Sequence, residues 1–145
     1  MNSHPKKLFG NVILGHGIDV VDIIEFNRLF TKTMLPFLNR NFTEVEIANA
    51  GTGINRIAKF AGRFAVKEAA LKALGIGWGE GVAFTDVEVV TLETGAPTLR
   101  LYRNLAELEA KHHIVDWHVS ISHTKNVAIA SVIAVGNSTI CQKIS

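Results

Sequence analysis

The stretch Gly62 to Gly75, GRFAVKEAALKALG, reads as the second half of an amphipathic helix whose apolar stripe is interrupted by one acid. At about 100° per residue, Ile57, Phe60, Ala61, Phe64 and Leu71 share a face with Glu68, and Lys72 lies at its edge. A lone buried carboxylate is costly, so Glu68 calls for a cation or a proton partner. The bland alternative is a surface pair between Glu68 and Lys72, one helical turn apart, worth about 0.2–0.5 kcal/mol. A second acid weighs against that alternative. In Val12 to Ile23, VILGHGIDVVDI, a strand pattern puts Asp19 on the alternate-residue face of Ile13, Val21 and Ile23. Two carboxylates set against the pattern, on different elements, point to one divalent metal site. An all-oxygen pair suits Mg²⁺, which takes one or two carboxylates and completes its shell with water and substrate phosphate. The expected chemistry is phosphoryl or pyrophosphate chemistry.

Working outward, Val12 to Val20 reads as a strand and Ile23 to Met34 as a helix stopped by Pro36, with Ile23, Phe26, Leu29 and Phe30 facing inward. Thr43 followed by Glu46 is a capping-box signature for a short helix ending near Gly51 and Gly53. The long helix spans about Ile54 to Leu74, with Gly75 as its C-terminal stop. Val87 to Leu92 and Thr98 to Tyr102 flank a turn and form a hairpin; Leu105 to His113 is a short polar helix. Val115 to Ser122 alternates, with Val115, Trp117, Val119 and Ile121 on one side, and Asn126 to Val135 reads as its partner strand, buried on both faces. The residues after Val135 read as a loose tail. Strands and helices mix without regular βα alternation, so the expected fold is a single α+β domain, an antiparallel sheet packed against a long helix, with its core between about residues 12 and 135.

Composition excludes several classes. With 145 residues and 48% hydrophobic content the chain can build a real core, and a net charge of +2 with scattered lysines and arginines gives no nucleic-acid footprint. Cys141 is the only cysteine, so no internal disulfide is available. The start, MNSHPKKLFGNVILG, carries two lysines before an apolar run that Gly10 and Asn11 interrupt, and neither a signal peptide nor a membrane span is read. A cytoplasmic location is expected. His4, His16, His112, His113 and His118 show no zinc-ligand spacing.

Two further stretches bear on a ligand. Gly75 to Gly81, GIGWGEG, lacks the Gly-Lys-Ser/Thr of a P-loop and leaves a helix rather than entering one. It is either a flexible connector or backbone bordering an extended ligand. His118 to Thr124, HVSISHT, presents Ser120 and Ser122 on one strand face and ends with His123 and Thr124 in a turn. Small hydroxyls and an imidazole can orient phosphate oxygens, although a solvated strand face and an exposed turn histidine have the same appearance.

GHGIDVVDI at Gly15 to Ile23, GRFAVKEAALKALG at Gly62 to Gly75, FTDVEV at Phe84 to Val89 and HVSISHT at His118 to Thr124 resemble, in order, the motifs of the holo-acyl-carrier-protein synthases, the short phosphopantetheinyl transferases of bacterial fatty-acid synthesis. The resemblance implies Mg²⁺-dependent transfer of 4′-phosphopantetheine from coenzyme A to a serine of apo-acyl carrier protein, releasing adenosine 3′,5′-bisphosphate. Carried over residue by residue, Asp19 and Glu68 would hold Mg²⁺ against the diphosphate and Lys72 would steady the leaving phosphate. Arg63, Ser122, His123 and Thr124 would orient the nucleotide, and Gly75 opens the loop beside it. A homotrimer with active sites between subunits is also implied, with Asp19, Glu68 and Lys72 of one chain facing His123 and Thr124 of the next. Relatives dock the carrier's acidic helix through arginines after the first motif; this chain has Glu25 there and offers Arg28, Lys32 and Arg40. A Mg²⁺-dependent hydrolase of nucleotide pyrophosphates would use the same three residues, and a non-catalytic oligomeric binding module would instead keep Glu68 and Lys72 as a buried pair.

Overall fold

A computed structural model describes residues 10–32, 34–79 and 81–137. Its elements in chain order are β1 (Asn11–Asp22), α1 (Ile23–Lys32), α2 (Met34–Asn41), α3 (Glu44–Ala50), α4 (Arg56–Leu74), β2 (Val87–Thr91), β3 (Pro97–Leu101), α5 (Asn104–Lys111), β4 (Ile114–His123) and β5 (Val127–Asn137). A three-stranded antiparallel sheet of order β1-β5-β4 carries α4 on one face, and the hairpin β2-β3 forms a second small sheet. This is the α+β arrangement that the pattern of elements leads one to expect.

What fixes α4 against the sheet is the absence of side chains. A Cβ added to Gly15 would lie 2.0 Å from the carbonyl oxygen of Ala73, and one added to Gly17 only 1.9 Å from that of Ala69. Ala65, Ala69 and Ala73 recur every four residues, line one side of the helix and are fully buried. Helix and strand therefore meet backbone to backbone. Glu68 and Lys72, one residue before Ala69 and Ala73, are carried to the edge of that contact.

The strand reaches this contact through an irregularity. The register of β1 against β5 shifts between Ile13 and Gly15, so Leu14 is an extra residue. Leu14 and Val12 pack into the core before it, and Gly15 and Gly17 face α4 after it. Asp19 and Val21 share that inner face, but Ile13 does not; the bulge turns it outward, 57% exposed. A second shift, between Ile114 and Asp116, likewise leaves Val115 exposed and off the side of Trp117, Val119 and Ile121. Alternation read straight through a bulge assigns the wrong face.

Other expectations need correction. The helix after β1 ends at Lys32, and Pro36 does not stop it: Pro36 sits in the first turn of α2, where no intrahelical N–H is required of it. Leu29 is exposed, while Ile23, Phe26 and Phe30 are buried as expected. Only one face of β5 is sealed, by Ala128, Ala130, Val132 and Ala134; Ile129, Ser131 and Ile133 on the other face are half-buried. Gly136 and Asn137 belong to β5 rather than to a tail, and the rest of the expected tail, with Cys141 and His4, lies outside the described residues.

A second core lies where α1, α2 and the first half of α4 meet, built on Phe26, Phe30, Phe42 and Phe60 with Phe37 and Phe64 packed on it. Phe42 and Phe60 approach to 4.8 Å between centroids and Phe30 and Phe60 to 5.5 Å, distances at which each aromatic pair contributes about 0.5–1.5 kcal/mol beyond its buried area.

The charge that is sealed in this structure is Lys67, not Glu68. Lys67 and Glu46 have no exposed side-chain surface and form an ion pair at 2.8 Å. The ammonium also donates to the carbonyls of Phe84, at 3.0 Å, and Val87, which uses all three of its protons. Glu46 completes the expected capping box with Thr43 and accepts from the Val89 amide at 2.9 Å. One knot thus ties α3, α4 and the start of β2 together. Burial pushes the Lys67 ammonium below its ordinary pKa, and Glu46 opposes the shift.

Candidate active site

Asp19 lies near the C-terminal end of β1, and Lys72 in the last turn of α4. Lys72 Nζ donates to Asp19 Oδ1 and to the carbonyl of Ile18, each at 3.0 Å. The partner of Lys72 is therefore the acid across the helix–strand contact, and no Glu68–Lys72 ion pair forms. Asp19 keeps 18% of its side chain exposed and Lys72 keeps 55%, so the pair opens to solvent.

Glu68 is half-buried rather than central to a sealed stripe. Almost every other position of α4 from Phe60 to Leu74 is buried, and Glu68 occupies one of the few openings. Its Oε2 accepts the indole N–H of Trp78 at 3.0 Å. Asp19 and Glu68 line one open hollow of about 430 Å³, together with Asp22 and Glu25 and an apolar wall that includes Phe26 and Phe64. The four acids are not equivalent. Asp22 accepts the Glu25 amide at 3.0 Å, capping the start of α1, and Glu25 pairs with Arg28 at 2.9 Å. Asp19 Oδ2 and Glu68 Oε1 have no hydrogen bond among the described residues. Two hard oxygens from different elements, beside an ammonium, fit a divalent cation that shares its shell with a phosphate oxygen. No group of three or more His, Cys, Asp or Glu suited to a metal occurs among the described residues, so such an ion would take its other ligands from water and substrate.

The remaining candidates stand elsewhere on the subunit. Ser122 is exposed at the end of β4; His123, Thr124 and Lys125 line a different hollow with Ile54, Asn55 and Ala58. The Thr124 hydroxyl accepts from the amides of Asn126 and Val127, both at 3.2 Å, so it caps the β4–β5 turn, and His123 Nδ1 lies 3.2 Å from the Thr124 carbonyl. Arg63 lies about 140° around α4 from Glu68. It donates to the Lys59 carbonyl at 3.2 Å, and its buried Nε has no partner among the described residues. Burial lowers its pKa, with Glu46 opposing. Gly75 is the left-handed helix stop, φ 72°, that the sequence pattern suggests.

Three contributors escape a reading of the sequence. Lys67 is adjacent to Glu68 and looks like a surface cation of the helix; only its distant partner Glu46, already a capping residue, gives it a reason for burial. Trp78, the one aromatic residue among the glycines of its loop, was the available signal for a contact with Glu68. Asp86, inside FTDVEV, accepts two hydrogen bonds from Arg103, each at 2.7 Å. A roomier hollow of about 630 Å³ lies between Lys32, Leu35, Phe37 and Arg40. It holds no carboxylate, so size alone does not mark the chemistry.

Comparison with known proteins agrees with the fold. A 40% identical relative, the holo-[acyl-carrier-protein] synthase of Geobacter metallireducens, aligns over 84% of this chain and 97% of its own length. The Helicobacter pylori holo-[acyl-carrier-protein] synthase in complex with coenzyme A matches with a TM-score of 0.72 at 31% identity, covering 82% of this chain and 98% of that one. The Neisseria meningitidis holo-[acyl-carrier-protein] synthase matches with a TM-score of 0.77 at 28% identity, covering 85% and 98%. The family model of the 4′-phosphopantetheinyl transferase superfamily matches residues 15–132, a span that runs from the glycine contact of β1 into β5, and to that superfamily this chain belongs.

Proposed function

We propose that this chain transfers the 4′-phosphopantetheine group of coenzyme A to a serine hydroxyl of an apo-acyl carrier protein, leaving adenosine 3′,5′-bisphosphate. The observation that carries the reading is the meeting of Asp19, Glu68 and Lys72 at one open edge of the β1–α4 contact, in a chain with the motifs and relatives of holo-[acyl-carrier-protein] synthases. Asp19 and Glu68 are the groups that would hold Mg²⁺, which supplies charge neutralisation of the diphosphate when bound. Lys72 faces the same charge and stabilises the leaving phosphate as the bridging bond breaks. Transfer of this kind depends on positioning and charge rather than on a protein nucleophile, so the absence of a cysteine or activated serine at this edge among the described residues is no obstacle. Glu68 or a water beside it is the candidate to accept the serine proton.

The outer face of the sheet supports the proposed assembly. Ile13, Ile18 and Val20 of β1 are 57%, 50% and 58% exposed, and Ile129 and Ile133 of β5 lie beside them on the face away from α4. Such a face favours cover by other copies. A homotrimer built on it brings the His123–Thr124 turn of one subunit to the acids of the next, which is where those residues would orient the nucleotide. Arg28, Lys32 and Arg40, around the exposed Leu29 and Leu35, give the carrier's acidic helix a basic and apolar landing. No helix among the described residues is long and apolar enough to cross a membrane, and the cytoplasm is the proposed location.

Mass spectrometry of apo-acyl carrier protein incubated with the chain, coenzyme A and Mg²⁺ tests the proposal. A gain of the phosphopantetheine mass, abolished by chelation, is expected. Cleavage of coenzyme A without carrier would favour a pyrophosphate hydrolase, and no reaction in either assay would leave only a binding role.

A further inference from the structure

We propose that Trp78 is a positioning residue that orients the carboxylate of Glu68 for cation binding; this rests on the reading of Glu68 as a metal ligand. The loop after α4 folds back on the helix through left-handed glycines, Gly75 at φ 72°, Gly79 at φ 104° and Gly81 at φ 87°. Trp78 stands between them. Its ring stacks on Phe84 with centroids 3.7 Å apart, and Phe84 stacks on Phe64 at 4.9 Å and an interplanar angle of 16°. Phe64 lies one helical turn before Glu68 on α4 and forms part of the wall of the same hollow. The three rings therefore start and end beside the acid they serve, and they aim the indole N–H at Glu68 Oε2, 3.0 Å away.

The chemistry of the donor is what makes this more than packing. An indole N–H only donates and does not titrate, so it holds one carboxylate oxygen without ever competing for the cation or exchanging a proton with it. With Oε2 engaged, Glu68 presents Oε1 alone to the hollow, a one-oxygen ligand of the kind compact octahedral Mg²⁺ accepts. Hydrogen bonds from outside a metal's ligand set fix ligand orientation, and removing them typically costs about 10–100-fold in metal affinity or activity. The Lys67 ammonium, bonded to the Phe84 carbonyl, anchors the middle of the stack to the buried knot.

Trp78→Phe keeps the stack and deletes the donor. The test measures Mn²⁺ binding to the full chain by electron paramagnetic resonance with coenzyme A present, alongside the melting temperature. Expected is Mn²⁺ affinity lower by roughly 10-fold with melting nearly unchanged, and no further loss when Trp78→Phe is added to Glu68→Gln. Placing benzothienylalanine at position 78, which exchanges N–H for sulfur and keeps the bicycle, should give the same loss and covers the case of a poorly folded phenylalanine variant. Wild-type affinity in both replacements, with Glu68→Gln weakened, would overturn the role of Trp78 and leave the metal reading intact. Wild-type protein that binds no Mn²⁺ would overturn both.

Discussion

Lys67 and Glu68 are neighbours on one helix with opposite fates. Lys67 points into a sealed knot where three acceptors use its three protons, and Glu68 points into an open hollow with one oxygen held by Trp78 and the other without a hydrogen bond among the described residues. Burial and saturation of hydrogen-bonding capacity therefore go together here: the sealed Lys67–Glu46 pair is fully satisfied, and the more open Glu68 is not. A charge whose partners are all internal has nothing left for a substrate, whereas Glu68 and the solvent-facing Asp19–Lys72 pair keep capacity in reserve.

The contrast can be broken at its strongest point first. Lys67→Met leaves Glu46 buried without its cation and should destabilise the fold by about 3–5 kcal/mol, lowering the melting temperature by roughly 10 °C, while transfer per folded molecule falls by no more than the roughly 10-fold expected when Glu68 loses its Trp78 contact; calorimetry and an active-site-normalised assay check both. Asp19→Asn and Glu68→Gln should do the reverse. Each is expected to reduce transfer by at least ~10²–10³-fold with little change in melting, and near-normal rates in either variant would refute the metal assignment. Gly17→Ala joins the two regions, since its Cβ would press on the carbonyl of Ala69. It should cost about 1–3 kcal/mol and also lower turnover, because it moves Glu68 and Lys72 away from Asp19; a stable variant with full activity would show that the close contact is dispensable.

The smallest effect sharpens the comparison by pH. Burial acts to raise the Asp86 carboxyl, but the paired hydrogen bonds from Arg103 and the amide of Ala83 outweigh it and hold the pKa below 3.8. A carboxylate depressed in the folded state stabilises above its unfolded pKa and loses that contribution as pH falls through the folded one. Arg103→Ala should therefore melt lower than wild type near neutrality, with the gap closing below pH 3.8. A gap independent of pH would mean that Arg103 acts through packing alone.

Much of this was legible because it is local. The capping box at Thr43 and Glu46, the stop at Gly75 and the hairpin from Val87 to Leu101 depend on residues close in sequence, and each forms as the pattern suggests. Asp19 and Glu68 were legible for a different reason: each breaks an apolar pattern, with Lys72 at the edge of the helical stripe, and the structure brings the three to one edge. What stayed hidden depends on distant pairing. Nothing near Lys67 announces Glu46, twenty-one residues away, and nothing near Ile13 or Val115 announces a register shift that only the partner strand defines. The separation of His123 and Thr124 from the acids is likewise a matter of tertiary placement, since strand alternation says nothing about which end of the sheet a turn reaches.

The extra residue Leu14 has a consequence for how the N-terminal end of β1 can vary. Upstream and downstream segments of the strand obey opposite in–out parity, and Leu14 reconciles them like an expansion joint. Downstream, the glycines clamped on α4 leave no slack, which would confine the uptake of a residue gained or lost near Asn11 to Ile13 to the joint, upstream of Asp19. The Asp19–Lys72 edge is thereby insulated from length changes at the sheet's margin.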